Sequence, residues 1–496
     1  MIKSEPTTKK TSFKVESAAP AGLFSFMPAM EEVPSIRVSF NIGALLDIPT
    51  GKFLTGKYGE SILNGGLGAI TGVVGIANNF KSTEMHYMML SAASKFPHAR
   101  MGTYDTEITI NTPRLVQLSQ SFPAFKDRDL ISEGVWSVCD KTNYFAGEWY
   151  DKKKDQLKAK VANASKLMFD TPFLDKDNKP LKIIYPTFDE VDSLTEFEDE
   201  SAAKMQDEND LGDSGANTLF MKGGMIKTRF LADVPKYIAN ACNPMLMTAH
   251  IGKTIQMDTR AAPEKRLQFL KNGDVIKGVS SKFLFLTSNC WQCQNATPLF
   301  NDTTKGPEYP RDSDDNLKGD TDLIVVTLVN IRNKNGPTGM ALQHIVSQQE
   351  GVLPSLTEFH YLKSNERFGI NGTLQNYEMD LLPGVKLSRT SVRSKIDNTP
   401  QLQRALNITS ELCQMTHLWH HIDDLLCTPK QLYDDLITKG YKWDILLNTR
   451  GWWTVNNDRH PIPFLSTMDM LKMRVDTYHP YWLEDDKVTI KSEFLA

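Results

Sequence analysis

The 496-residue chain is short of cysteine, of charge excess and of long apolar runs, and each shortage removes a class of protein. Its six cysteines show no disulfide-framework spacing, which suits a reducing compartment. Cys290-Trp291-Gln292-Cys293 has the look of half a zinc site, but no second Cys or His pair follows at a matching spacing. Those two thiols are therefore read as buried on a strand. No apolar run reaches the roughly 18 residues that a membrane-spanning helix needs, and the longest candidate, Leu63 to Ala77, is interrupted by glycine. The first residues carry no signal-peptide pattern, so a cytoplasmic location is expected. Residues 1–22, rich in Lys, Ser, Thr, Pro and Glu, read as a disordered tail, with 1–35 together forming tail and lead-in. A net charge of −4 excludes a uniformly basic nucleic-acid coat and still allows a local basic groove. No internal repeat is found.

What is present is an ordinary globular composition, 40% hydrophobic and 23% charged, in a chain long enough for more than one domain. Its most informative stretch is Gly75-Ile76-Ala77-Asn78-Asn79-Phe80-Lys81-Ser82-Thr83. An apolar run, Ala69 to Val74, precedes it and predicts a buried strand. A Met-, Leu- and Ala-rich run from Glu84 to Lys95 follows and predicts a helix. Strand, loop, then Lys-Ser at a helix start is the setting of a phosphate-binding loop. Loop amides and the helix dipole would face the phosphates of ATP. Lys81 would reach the β- and γ-phosphates, and the Ser82 hydroxyl would hold Mg²⁺. Gly75, Asn78, Asn79, Phe80, Lys81, Ser82 and Thr83 are thus the candidate nucleotide-binding residues. The usual pattern has a second glycine where Phe80 stands, so the phenyl side chain must turn away from the nucleotide.

Beyond the loop, Pro97 breaks the helix, and Ala99 to Tyr104 predicts a strand that ends in Asp105-Thr106-Glu107. Residues 108–170 read as mainly helical, with Trp136, Tyr144, Phe145 and Trp149 in the core. Residues 187–191 predict a strand delivering Asp192-Ser193. An acidic, polar stretch from Glu196 to Asn217 follows, then an amphipathic helix from Ile226 to Asn240 and a strand from Met245 to His250. About thirty residues with little helix or strand pattern then run to Lys282, a length that in a compact domain points to function or disorder. They carry Lys253, Arg260, Lys265, Arg266, Lys271 and Lys277 with Phe269 interleaved, the composition of a DNA-binding loop. Residues 196–225, with Lys222 and Lys227, offer a shorter second one. Further strands are predicted at residues 282–287, 322–330 and 340–345. From residue 391 the pattern turns helical, with a capped helix from Thr428-Pro429 to Lys439. The clustered Trp419, Trp443, Trp452 and Trp453 read as a small core. Alternating strands and helices over the first 350 residues predict an α/β core with a mainly parallel sheet.

In such sheets ligands gather at the carboxyl ends of the strands, where the phosphate loop, Glu107 and Asp192 fall. Asp192 is read as the carboxylate holding Mg²⁺ through water, and Glu107 as the residue that orients and deprotonates the attacking water. His250 stands where a γ-phosphate sensor would, with Thr248 or Asn289 as alternatives.

In order, these motifs resemble the RecA-like strand-exchange recombinases, and among them the phage-type, UvsX-like branch, whose phosphate loop has Phe before Lys-Ser. Tyr104-Asp105-Thr106-Glu107 looks like the catalytic-glutamate strand of that family, and Val191-Asp192-Ser193 like its Walker B terminus. Met247-Thr248-Ala249-His250 looks like the strand entering its second DNA-binding loop. Asn330-Ile331-Arg332-Asn333-Lys334-Asn335-Gly336 resembles its basic hairpin. The resemblance implies a RecA-like P-loop NTPase core, a twisted and mainly parallel sheet flanked by helices, over residues 36–390. DNA-binding loops would lie near 196–225 and 251–282; residues 391–496, which the resemblance does not cover, read from their own pattern as a mainly helical C-terminal domain. It also implies Arg332 and Lys334 as charge stabilisers acting on a neighbouring subunit's ATP, and single-stranded and duplex DNA as partners. The assembly would be a helical filament, or a closed ring if the chain is instead a hexameric replicative helicase on the same core.

Overall fold

The computed structural model describes residues 36–494, apart from 199, 201–203, 205–215, 254–268, 280–281, 313, 316 and 374. The chain divides into Met1–Arg37 and Val38–Ala496, and the architecture below is that of the second unit. The expected tail at 1–35 lies outside the described residues, as do Arg260, Lys265, Arg266 and half of 196–225.

A ten-stranded sheet runs through this unit. In chain order its strands are β1 (Ile70–Gly75), β2 (Arg100–Asp105), β3 (Trp136–Asp140), β4 (Thr187–Asp192), β5 (Met245–Lys253), β6 (Asp274–Ile276), β7 (Asn289–Pro298), β8 (Leu323–Asn333), β9 (Ala341–Ser347) and β10 (Gly351–Val352). Across the sheet the order is β10-β9-β8-β7-β1-β5-β4-β2-β3, with β6 paired to β5 off this path. From β7 to β3 the neighbours are parallel. Strands β8, β9 and β10 extend the sheet antiparallel. The protein is thus a mixed α/β structure with a large, mostly parallel central sheet and flanking helices.

Burial on both faces explains why β1 reads as one apolar run, and all six of its residues are buried. Helix α1 (Lys81–Ala93) packs against β1, β4 and β5. Helices α2 (Ala146–Ala162) and α3 (Ala216–Ala241) pack on each other and share a core with Ile70, Val74, Met245 and Met247. A second core joins Leu323 and Ile345 of β8 and β9 to helix α5 (Pro354–Ser364) and to α6 (Pro400–Leu418). Helix α7 (Pro429–Thr438) adds Leu432 and Leu436 to it, and the Thr428–Gln431 capping box starts that helix as its sequence predicts. Trp419, Trp443 and Trp453 are buried and Trp452 is half-buried, so these rings serve packing.

Two expectations fail. Residues 282–287 form no strand; Lys282–Leu286 is a short helix, α4. A short apolar run carries no period of its own, so tertiary packing chose the helix, with Phe283 set beneath β1. The strand begins at Asn289 and carries Cys290 and Cys293, both buried as expected. Residues 108–170 are only partly helical. Trp136, aromatic and followed by Ser-Val-Cys, lies in edge strand β3, where its indole N–H donates to Thr103 Oγ1 at 2.8 Å. Met168–Leu174 pairs with Pro180–Ile184 in a separate two-stranded sheet. Trp149 is buried as predicted, while Tyr144 and Phe145 are half-buried.

The close approach of α4 to the sheet is testable. A Cβ on Gly72 would lie 2.8 Å from Cys290 Sγ and 2.9 Å from Phe283 Cζ. Gly72→Val is expected to cost roughly 1–3 kcal/mol by overpacking. Thermal unfolding should show a lowered Tm, and an unchanged melting curve would contradict the packing.

Candidate functional site

Strand register sets the site. Gly75, the last residue of β1, lies opposite His250 of β5 on one side and Cys293 of β7 on the other. A Cβ at Gly75 would sit 2.8 Å from Cys293 O and 3.3 Å from Lys81 Cγ, so only glycine lets the loop leave the sheet this tightly. Asn79 Nδ2 donates to Cys293 O at 3.1 Å and ties the loop to β7. Phe80 has φ 60° and ψ 20°, the left-handed conformation a glycine adopts without steric cost. The departure from the usual letter therefore leaves the backbone shape of a glycine in place. Phe80 O accepts the Glu84 amide at 2.9 Å, and α1 starts at Lys81, three residues earlier than its sequence suggests.

Lys81 is buried, and its Nζ donates to Ile76 O at 2.9 Å inside its own loop. Burial pulls its pKa below the usual lysine value, against the charges of Asp192 and Glu107, which act to raise it. Ser82 and Thr83 follow in the first turn of α1, half-buried.

The acids arrive on neighbouring strands. Asp192, at the end of β4, lies opposite Asp105 at the end of β2. Its carboxylate accepts the Thr248 hydroxyl of β5, and its carbonyl accepts the Thr106 amide at 2.7 Å. Thr106 Oγ1 accepts the Ser193 amide and donates to Ser193 O, each at 2.7 Å, so the two strand ends are sewn together. The Asp192–Ser193 peptide is cis. Glu107 Oε1 and His250 Nε2 are 2.8 Å apart, both about a quarter exposed (28% and 25%) and so open to a ligand. Burial alone would raise the Glu107 carboxyl. The Ser193 hydroxyl, close by though outside regular hydrogen-bond geometry, together with His250 and the Lys81 charge, outweighs it and holds the group below the usual range. Glu107 is ionised at neutral pH.

Asp105 is the residue that sequence reasoning passed over. Its Oδ1 accepts the amides of Glu107 and Ile108, both at 2.9 Å, and its Oδ2 those of Thr109 and Ile110 at 2.8 and 2.7 Å. These bonds hold Ile108, a β-branched residue, at φ 56°. Asp105 thereby aims Glu107. The signal for it was an Asp just ahead of the loop whose amides it caps.

The chemistry of the donor set fits Mg²⁺. Ser82 and Asp192 offer hard oxygens, and the Asp192 charge acts on Lys81, the residue before Ser82. Among the described residues no group of three or more His, Cys, Asp or Glu forms an all-protein cage. Mg²⁺ ordinarily takes one or two protein oxygens, water and phosphate oxygens.

The proposed DNA-facing residues are only partly described. Lys253 ends β5 and pairs with the Asp274 carboxylate of β6. Lys271 and Lys277 are exposed. Phe269 is half-buried, its ring against Gly339. Lys227 is buried in α3. Arg332 and Lys334 sit on the β8–β9 hairpin, two strands from β1. Arg332 is half-buried with an unpartnered Nε, and Lys334 is exposed. The structure thus gathers Gly75, Asn79, Lys81, Glu107, Asp192 and His250, and leaves the hairpin pair apart from them. Asn289, one of the alternative sensors, is spent on Gly66 O at 2.8 Å, and Thr248 on Asp192. No helix among the described residues is long and apolar enough to cross a membrane.

No family model and no curated protein matches the chain. Among solved structures it is similar to the crystal structure of the RadB recombinase, at 14% identity and a TM-score of 0.29, over 58% of this chain and 90% of that one. A likeness so slight lends weight to neither fold nor function.

Proposed function

We propose that the protein is an ATP-dependent, RecA-like recombinase, a P-loop ATPase of the phage type. It would polymerise on single-stranded DNA, pair it with a homologous duplex and exchange strands. The observation that carries this reading is the row of strand ends in register. Gly75, His250 and Cys293 flank the phosphate loop, and Asp192 and Asp105 follow on the next strands. Such a row supplies the cradle, metal contact, base and γ-phosphate contact that phosphoryl transfer to water requires.

Lys81 leaves Ile76 O to meet the β- and γ-phosphates, while the amides of Gly75 to Thr83 and the start of α1 face their charge. Ser82 and Asp192 would hold Mg²⁺, which would supply charge neutralisation for the phosphate oxygens. Glu107 accepts the proton of the attacking water, and His250 reports the γ-phosphate through its bond to Glu107. Arg332 and Lys334 would act on the ATP of a neighbouring subunit. Lys253, Lys271 and Lys277, with Arg260, Lys265, Arg266 and Phe269, would hold DNA phosphates and bases. The location would be the cytoplasm, of the host cell if the chain is phage-encoded.

Electron microscopy with single-stranded DNA and a non-hydrolysable ATP analogue should show helical filaments. Closed six-membered rings, with strand displacement on forked DNA, would assign the chain to the hexameric helicases instead. A second expectation concerns Asp105. Asp105→Ala removes the acceptor for four amides, and Glu107 loses its aim. ATP turnover should fall about 10²-fold, while affinity for a fluorescent ATP analogue changes little. Equal loss of both would mean that Asp105 serves only the fold.

A further inference from the structure

We infer that Thr195 is a positioning residue that couples the Glu107–His250 pair to the base of the basic segment. The inference rests on the ATPase reading above. Thr195 lies in the single turn Leu194–Glu196 that follows β4, just beyond Asp192. Its hydroxyl accepts the His250 amide at 3.0 Å and donates to Lys277 O at 3.3 Å. The Lys277 amide donates back to His250 O at 2.8 Å. Three hydrogen bonds thus close a ring through one side chain, and both backbone polar groups of His250 belong to it. The imidazole of the same residue sits on Glu107.

A second anchor comes from α3. The Lys227 ammonium donates to Thr195 O and is buried. Burial pulls its pKa down, with Glu196 and Glu198 acting against that. A lysine kept in this place holds the turn from the helix that follows the acidic stretch. Thr195 is therefore where three parts meet: the end of β5, the Lys277 turn after β6, and α3. A polyanion drawn along exposed Lys271 and Lys277 shifts the Lys277 peptide. Because that peptide shares the Thr195 hydroxyl with His250, the imidazole moves relative to Glu107. The coupling is a matter of one hydroxyl making two bonds at once, which valine cannot do and serine can.

The test uses the full chain, ATP and poly(dT). Thr195→Val should lose about tenfold of the stimulation of ATP turnover by poly(dT), a typical size for coupling between two sites. Thr195→Ser should restore it. Retained stimulation in Thr195→Val, or equal loss in both variants, would overturn the inference. Should Thr195→Val fail to give a native melting curve, Lys227→Gln takes its place and is expected to lose stimulation likewise; full stimulation there would overturn it too. A wild-type chain that hydrolyses no ATP defeats the ATPase reading instead, so the two failures are told apart.

Discussion

Lys81→Met is expected to abolish ATP turnover, by about 10³-fold, and to weaken nucleotide binding while the chain stays folded. Methionine fills nearly the same volume, so the packing of the loop against β7 survives, and Ile76, whose carbonyl loses its donor, is an exposed residue. What goes is a buried ammonium whose charge acts with those of both Asp192 and Glu107. Without it the site keeps the carboxylates of Asp192 and Glu107 and a helix start, and the charge that builds on the transferring phosphoryl group loses a buried counter-charge. In a site screened from water that interaction is worth far more than at the surface. The measurements are ATPase rate with and without single-stranded DNA, and titration with a fluorescent ATP analogue. DNA-stimulated turnover at the wild-type level would sink every assignment in the site.

Glu107→Gln should separate binding from chemistry. Asp105 fixes the backbone at residues 107–110, and the amide oxygen of glutamine can still face His250. The residue therefore stays in place and loses only its basicity. General-base removal typically costs about 10²–10⁴ in rate. ATP affinity and DNA-dependent assembly should persist, and assemblies formed with ATP itself should outlast those of the wild type because hydrolysis no longer ends them. Single-turnover hydrolysis and electron microscopy check both halves. Turnover at the wild-type rate would move the base elsewhere on the strand-end row.

The parts of this site that were legible in the sequence are those written locally. An apolar strand, a loop with Lys-Ser and a Met-rich helix follow one another without a break, and β1 and α1 appear where they should, with α1 beginning three residues early. Asp192 and His250 could be read because each ends a short apolar run. The parts that were not legible depend on partners far away in the chain. Trp136 joins the sheet because Thr103 receives its indole N–H. Lys282–Leu286 becomes helical because β1 presents Gly72 to Phe283. The Glu84 carboxylate in α1 meets His344 of β9 at 3.0 Å, both fully buried, a pair that no spacing could reveal. Asp105 and Thr195 were hidden differently. Each works through backbone amides or carbonyls, which every residue has, so nothing in the identity of its partners marks it.

Phe80 carries a consequence beyond this chain. A left-handed conformation costs an ordinary residue about 1–2 kcal/mol, and the loop bears that cost where glycine would avoid it. What the loop demands at this position is therefore a dihedral angle, and glycine is one answer among several; asparagine and aspartate also visit that region readily. A pattern of letters that insists on glycine here passes over every loop that meets the demand another way. Such loops become visible when the chain on either side is asked for a buried strand before and a helix after.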